Sequence, residues 1–373
     1  MHEVAIIAAA RTPFTGRSRG LASYSVDQLA GRALRHVAEE AATCPDTVML
    51  GNCTGPGGNL GRNAALAAGF GTGCVGWGID AQCGSGMVAV MQGAQHVLGT
   101  GEVVAAGGAE SASTAPVRSN GGEPFARAPF APEGFADPDM IDAADHLARV
   151  KGVSRRRQDL YAVRSHALAV ESEGRVGDEL ARFHDPATGE EILDDGPRRM
   201  TAETVARFHP VRKGEDATVT PATAARISDG AAAVILRPES EASGPRWIIR
   251  ASTLTGGDPA LPGILPVAAI QRVMDQAGVF LGSVAAVEIV EAFAAQTLAV
   301  LDELGLTDGE NIDPRVNAWG GALALGHPWG ASGAAAVVRL AHRLRSEGPG
   351  SVGVAACAIG GGMGSALMME YTE

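Results

Sequence analysis

Gln82-Cys83-Gly84-Ser85-Gly86 runs directly into Met87-Val88-Ala89-Val90-Met91-Gln92-Gly93-Ala94-Gln95-His96-Val97-Leu98. The first five residues form a glycine-softened turn, and the next twelve read as an apolar helix. A strand ending near Ala81 precedes them. A strand from Val103 to Ala106 follows, closing at Gly107-Gly108-Ala109-Glu110-Ser111. The order is strand, Gly-rich turn, helix, strand, Gly-Gly turn, and it recurs late in the chain. There a strand from Val284 to Val290 leads to a helix from Glu291 to Leu304. Gly320 to Gly333 then enters a helix from Ala334 to Arg345, a strand from Val352 to Cys357, and Gly360-Gly361-Gly362. Alternating strands and helices predict an α/β fold, and the repetition predicts two similar halves.

Working outward, Val4 to Ala9 reads as a buried strand, turned at Arg11-Thr12-Pro13. A helix is expected from Asp27 to Ala42 and a strand from Thr47 to Gly51. The run Gly51 to Gly58 is a loop, followed by a helix from Arg62 to Ala68. Trp247 to Ala251 and Leu265 to Ala277 open the second half as strand and helix. Between the halves the character changes, with segments such as Pro129-Phe130-Ala131-Pro132 and Asp137-Pro138-Asp139. A charged helix from Arg155 to about Glu173 also lies here, with Ser154 as its N-cap. The expected organisation is an N-terminal half over 1–114, an inserted loop domain with the return to that half over 115–245, and a C-terminal half over 246–373.

At 373 residues the chain exceeds one ordinary domain, and with 46% hydrophobic residues it has ample material for a core. Fifty glycines with persistent apolar periodicity point to close packing and tight turns, not disorder. A net charge of −12 argues against a nucleic-acid partner. Local basic runs, Arg155-Arg156-Arg157, Arg198-Arg199 and Arg212-Lys213, read as solvated faces or as sites for an anionic cofactor. The five cysteines, Cys44, Cys53, Cys74, Cys83 and Cys357, form no CxxC pair. Met1-His2-Glu3 leads straight into the first strand. These features predict free thiols in a reducing cytoplasm, no signal peptide and no membrane span.

Three residues carry candidate chemistry. Cys83 sits where a strand meets a helix N-terminus, whose partial positive charge favours thiolate and so a better nucleophile. The other reading is a buried structural cysteine. His327, in Gly326-His327-Pro328-Trp329-Gly330-Ala331-Ser332-Gly333, occupies the corresponding place in the second half. If the halves pack about a pseudo-twofold axis, His327 meets Cys83 and can take its proton; otherwise it is a structural histidine. Cys357, before the triple glycine, taken alone reads as a core residue.

These motifs, with Ala9-Ala10-Arg11-Thr12-Pro13-Phe14, Ser228-Asp229-Gly230-Ala231-Ala232-Ala233 and Glu291-Ala292-Phe293-Ala294, make the chain resemble the thiolases over nearly its whole length. The resemblance implies a five-layered αβαβα fold and a ping-pong acyl transfer through an acyl-cysteine. It implies Cys83 as nucleophile, His327 as its base, and Cys357 as the second catalytic cysteine. The backbone N–H groups of Cys83 and Gly360 would form an oxyanion hole. A coenzyme A thioester would lie near Met140, Ala292 and Phe293. It would pass through as substrate, with no metal and no permanently bound cofactor. The resemblance further implies a homodimer or homotetramer.

Three regions depart from the pattern: the residue before Glu291, the coenzyme A channel, and the segment after Cys357. Val290 stands where thiolases usually have an Asn that holds an oxyanion water. Ala225 replaces the serine that would bond pantetheine, and Pro262 stands where a methionine is usual. Cys357-Ala358-Ile359-Gly360 carries one residue more than the usual Cys-Ile-Gly, so counting back from the glycines puts Ala358 in the catalytic place. A slip of one residue reverses the face of a strand side chain unless a bulge absorbs it. The expected function is acyl transfer through Cys83 from an acyl-CoA or a carrier-bound donor, with Claisen condensation or thiolysis as the inherited reaction. Transfer to an oxygen or nitrogen nucleophile, and a non-catalytic partner subunit, are the alternatives.

Overall fold

The computed structural model describes residues 3–125, 127–185 and 187–373; Met1, His2, Ala126 and Pro186 lie outside them. Nine strands form one path: β1 (Val4–Arg11), β2 (Thr47–Gly51), β3 (Val75–Ile79), β4 (Val104–Glu110), β5 (Ser228–Pro238), β6 (Arg246–Gly256), β7 (Ala286–Ile289), β8 (Val352–Ile359) and β9 (Met363–Thr372). The spatial order is β7-β8-β9-β6-β1-β5-β4-β2-β3, and the short strand Thr15–Gly16 pairs with the start of β5. Five strands of the first half and four of the second meet where β1 pairs antiparallel with β6, through Ala5 with Ile248 and Ile6 with Trp247.

The main helices are α1 (Val26–Glu40), α2 (Leu60–Ala68), α3 (Ser85–Thr100), α4 (Met140–Lys151), α5 (Arg155–Glu171), α6 (Pro266–Ala277), α7 (Ala294–Glu303) and α8 (Trp329–Glu347). Strand side chains alternate between faces, and that alternation sorts the core into layers. Ala8, Ala10, Val48, Leu50, Ala233 and Ile235 pack under α1 and α2. Ala106, Val234 and Leu236 of one half-sheet face Ala355, Leu367 and Met369 of the other, with α3 and α8 between them. Val287, Ile289, Val354, Ala356 and Met368 pack under α6 and α7. Five layers result.

Two corrections concern glycines. Gly107 and Gly108 are not a closing turn, because β4 continues through Glu110. A Cβ on Gly107 would sit 2.0 Å from the Ala232 carbonyl oxygen, and one on Gly108 would sit 1.9 Å from that of Gly330. They are glycines because neighbouring backbone touches them. The helix expected to start at Ala334 starts at Trp329, with Pro328 as its N-cap residue. His327 therefore stands just before a helix N-terminus, as Cys83 does.

The segment between the halves is not uniform. Helices α4 and α5 bury Leu147, Ala148, Tyr161 and Ala162 in the layer of α6 and α7. Ser154 caps α5 as expected, its side chain accepting from the Arg157 N–H. The return, β5, lies inside the sheet beside β1. The strand expected to reach Val290 ends at Ile289, and α7 starts at Ala294 instead of Glu291. The link between them is pinned by the fully buried Glu291 carboxylate. Glu291 accepts from Tyr161 Oη at 2.9 Å, Ser165 Oγ at 2.7 Å, Asn317 Nδ2 at 2.9 Å and the Leu323 N–H at 3.1 Å.

Candidate active site

Helices α3 and α8 touch at their first turns. A Cβ on Gly86 would come within 2.7 Å of the Gly330 carbonyl oxygen, and one on Gly333 within 2.8 Å of Met87 Cβ. Gly86 lies three residues after Cys83, and Gly330 three after His327. Two helix N-termini and their turns are thereby brought to one place, and only glycine permits so close an approach.

Cys83 sits in a 3₁₀ turn, Gln82–Gly84, that feeds α3. Gln82 holds φ at +49°, a left-handed conformation that side chains other than glycine rarely adopt. Its carbonyl accepts from Ser85 Oγ at 2.6 Å and from Cys53 Sγ at 2.9 Å. Its N–H donates to Asp80 Oδ1 at 3.0 Å. These bonds hold the strained peptide directly before the nucleophile candidate.

Packing opposes the acidifying effect expected of the helix N-terminus on this thiol. Burial, then the negative charge of Glu110, push Cys83 up to about 12. Burial also brings His327 down to about 4. At neutral pH the pair rests as thiol and neutral imidazole, so the nucleophile forms only as a proton leaves it.

Ser332, five residues after His327 on α8, decides which imidazole nitrogen is the base. Its Oγ donates to the Pro328 carbonyl at 3.0 Å and lies 2.6 Å from His327 Nδ1. With the hydroxyl hydrogen so used, Nδ1 carries the hydrogen and donates to Oγ. Nε2 is left as the acceptor; it is buried and has no partner among the described residues. Neither Ser332 nor Glu110 was given a role from sequence, although both stand inside quoted motifs. A hydroxyl one helical turn beyond a pre-helical histidine is the signal that points to the first.

Cys357 lies beside Cys83, its thiol turned onto backbone carbonyls. It is fully buried, with Sγ 3.4 Å from the Cys83 carbonyl oxygen and 3.2 Å from that of Ala358. The pairing of β8 with β9 runs unbroken from Val352 to Ile359, so the bulge considered from sequence is absent. Cys357 and Ile359 therefore share the inner face. The Ile359 side chain packs where a Cβ on Gly84 would be, which sets Gly360 at the same end as Cys83. Ala358 points the other way and is half-buried.

Val290 is buried in the layer of α8. It lines a cavity of about 40 Å³ together with Ser332, Asn317 and Gly321. Ala225 and Ala292 are joined by an N–H to carbonyl bond of 3.0 Å, and Phe293 bridges Ala224. Met140 opens α4, which packs on α7 and on the turn Pro262–Ile264.

Comparison with known proteins gives a consistent result. The family model described as "Thiolase, N-terminal domain" matches residues 4–240, and "Thiolase, C-terminal domain" matches residues 245–371. A Staphylococcus haemolyticus protein named "Putative acetyl-CoA C-acetyltransferase VraB" is 36% identical, covering 99% of both chains. A Bacillus subtilis protein named "Putative acetyl-CoA C-acetyltransferase YhfS" is 36% identical, covering 98% of both. The crystal structure of the Bacillus anthracis acetyl-CoA acetyltransferase superposes with a TM-score of 0.90 at 32% identity, covering 100% of this chain and 99% of that one. The human mitochondrial 3-ketoacyl-CoA thiolase superposes at 0.89 and 30% identity, with the same coverage.

Proposed function

Because the chain belongs to the thiolase family, we propose that it takes an acyl group from a coenzyme A thioester onto Cys83 and passes it to a second substrate. The observation that carries this reading is the meeting of the α3 and α8 N-termini, with a thiol on one turn and an unpartnered imidazole nitrogen on the other.

In the first half-reaction the Cys83 S–H proton moves to His327 Nε2 as sulfur adds to the thioester carbonyl. Negative charge develops on the carbonyl oxygen, where the Cys83 and Gly360 N–H groups serve as donors. Collapse expels the coenzyme A thiolate, which recovers the proton from His327 and leaves as the free thiol. A neutral resting pair suits this sequence, since imidazole must begin unprotonated. Ala225, Ala292, Phe293 and Met140 are assigned to the face along which pantetheine enters. Coenzyme A is substrate here, with no resident cofactor.

The second half-reaction is inherited as Claisen condensation or its reverse, thiolysis, with Cys357 as the assigned proton carrier. Two observations favour a second outcome, transfer to an oxygen or nitrogen nucleophile. Val290 offers no hydrogen bond to an enolate-side water, and the Cys357 sulfur is held against two carbonyl oxygens. Neither affects acylation of Cys83.

We also assign the exposed edge strand β3 to pairing with a second copy of the chain. It carries Val75 at 53% and Trp77 at 36% exposure on an otherwise unpaired edge. Among the described residues no helix is long and apolar enough to cross a membrane, and five free thiols fit a reducing compartment.

The test is intact mass spectrometry after mixing the protein with a panel of acyl-CoAs. One acyl mass should appear on the wild type and be absent from Cys83→Ala. A Cys83→Ala protein that acylates equally well, or a label on another residue, sinks the assignment.

A further inference from the structure

Glu110 ends β4 and is 1% exposed. Five donors converge on its carboxylate. Oε1 accepts from Asn52 Nδ2 at 2.9 Å, from the Thr54 N–H at 3.2 Å and, more closely still, from Thr54 Oγ1. Oε2 accepts from the Cys53 N–H at 3.1 Å and the Gly330 N–H at 3.0 Å. All five donors are neutral, and four of them, three backbone N–H groups and the Asn52 amide, can only donate to this group.

Its partners belong to both halves of the molecule. Gly330 is in the first turn of α8, three residues after His327. Cys53 donates its thiol to the Gln82 carbonyl, one residue before Cys83. The chain of contacts thus runs from the Cys83 turn, through Cys53 and Glu110, to the His327 turn. A Cβ on Gly330 would lie 3.0 Å from Glu110 Oε2 and 2.7 Å from Asn52 Cα, so there is no room for another arrangement.

We propose that Glu110 is a positioning residue that sets the Cys83 turn in register with the His327 turn, and whose fixed charge makes loss of the Cys83 proton depend on the imidazole. The proposal rests on Cys83 being the acylated nucleophile. The charge acts as stated: after burial, Glu110 is the larger of the two acidic groups that raise the Cys83 thiol, Asp80 being the other. A thiol held protonated does not react with stray electrophiles, and it ionises when His327 Nε2 takes its proton.

Charge and geometry are separable by two variants. Glu110→Gln removes the charge and puts an NH2 among donors. A neighbouring charge typically shifts a titration by at least about one unit, so about tenfold more thiolate forms at pH 8. Intrinsic nucleophilicity falls with a Brønsted slope near 0.5, which takes back about threefold. Iodoacetamide should therefore alkylate Cys83 about threefold faster, while acylation by acetyl-CoA slows by tenfold or more. Glu110→Asp keeps the charge but is one methylene short of Gly330 and Cys53. It should alkylate at the wild-type rate and still acylate about tenfold more slowly.

Opposite movement of the two rates in Glu110→Gln supports the proposal, and parallel movement or an unchanged alkylation rate overturns it. If Glu110→Gln does not fold, Glu110→Asp decides alone: wild-type acylation overturns positioning, and slowed acylation with unchanged alkylation supports it. Alkylation needs only thiolate at Cys83 and no acyl acceptor chemistry. A wild-type protein that alkylates but takes no acyl group therefore refutes the acyl-enzyme reading and not the charge effect.

Discussion

Ser332→Ala tests whether a single hydroxyl selects the reactive tautomer of His327. The substitution only removes an atom, so no clash arises and α8 keeps its register. What is lost is the 2.6 Å bond to Nδ1, within a buried pair. A net hydrogen bond contributes about 0.5–1.5 kcal/mol, and a stranded buried donor costs about 1–3 kcal/mol. Between one and two kcal/mol of that falls on the orientation and tautomer needed for proton transfer, or roughly 5- to 30-fold in rate. Removing the imidazole altogether should cost more, about 10²- to 10⁴-fold. The assay is the rate of the acyl mass increment on Cys83, for wild type, Ser332→Ala and His327→Ala, with thermal melting alongside. Nitrogen-15 NMR of the labelled histidine should show a proton fixed on Nδ1 in wild type and shared between nitrogens in Ser332→Ala. An acylation rate within twofold of wild type, or a loss as deep as that of His327→Ala, refutes the tautomer argument.

Val290→Asn should speed carbon–carbon bond formation or thiolysis and leave acylation nearly unchanged, because the amide would face the cavity it shares with Ser332; no gain in a folded variant ends that line. Burial brings His327 to about 4, and burial with Arg198 and Arg226 brings His166 there too, from 6.5. Depressed histidines resist protonation only in the folded state, so stability is full above about pH 6.5 and is lost as pH falls toward 4. Glu179 is raised by burial but lowered more by Arg339 and Arg11, to about 2, so its contribution is lost later, from 4.5 down to 2. Denaturant midpoints should therefore fall steadily from pH 7 to pH 4, and a flat profile contradicts the assignment of these shifts. Trp77→Asp on β3 should turn a dimer into a 38.0 kDa monomer; sedimentation showing a wild-type monomer removes the edge-pairing proposal.

Much of the architecture was legible because it rests on periodicity. The alternation that buries Val354 and Ala356 on one face and Ala355 on the other is visible in the residues themselves. The glycines were harder. Gly107-Gly108 and Gly360-Gly361 look alike on paper, yet the first pair lies in a strand against foreign backbone, and only the second makes a turn. Composition cannot say whether a glycine serves conformation or contact. The thiol's surroundings were hard to read for a related reason. The helix N-terminus is local in sequence, whereas the burial and the Glu110 charge that oppose it come from packing. Cys357 shows the same limit, since its face depended on whether a bulge existed between two strands.

The place of β1 between β5 and β6 bears on how the chain is made. Of the strands in this sheet the first to be synthesised is a central one, and its partners begin at Ser228 and Arg246. At about 5–20 residues per second, Val4–Arg11 waits roughly 10 to 40 seconds before either neighbour is synthesised. During that time an apolar strand with two unpaired edges is exposed. The nascent first half therefore cannot complete its sheet until the return strand emerges. A chain arrested before residue 228 should remain protease-sensitive at β1, while one released after residue 256 can close the sheet around it.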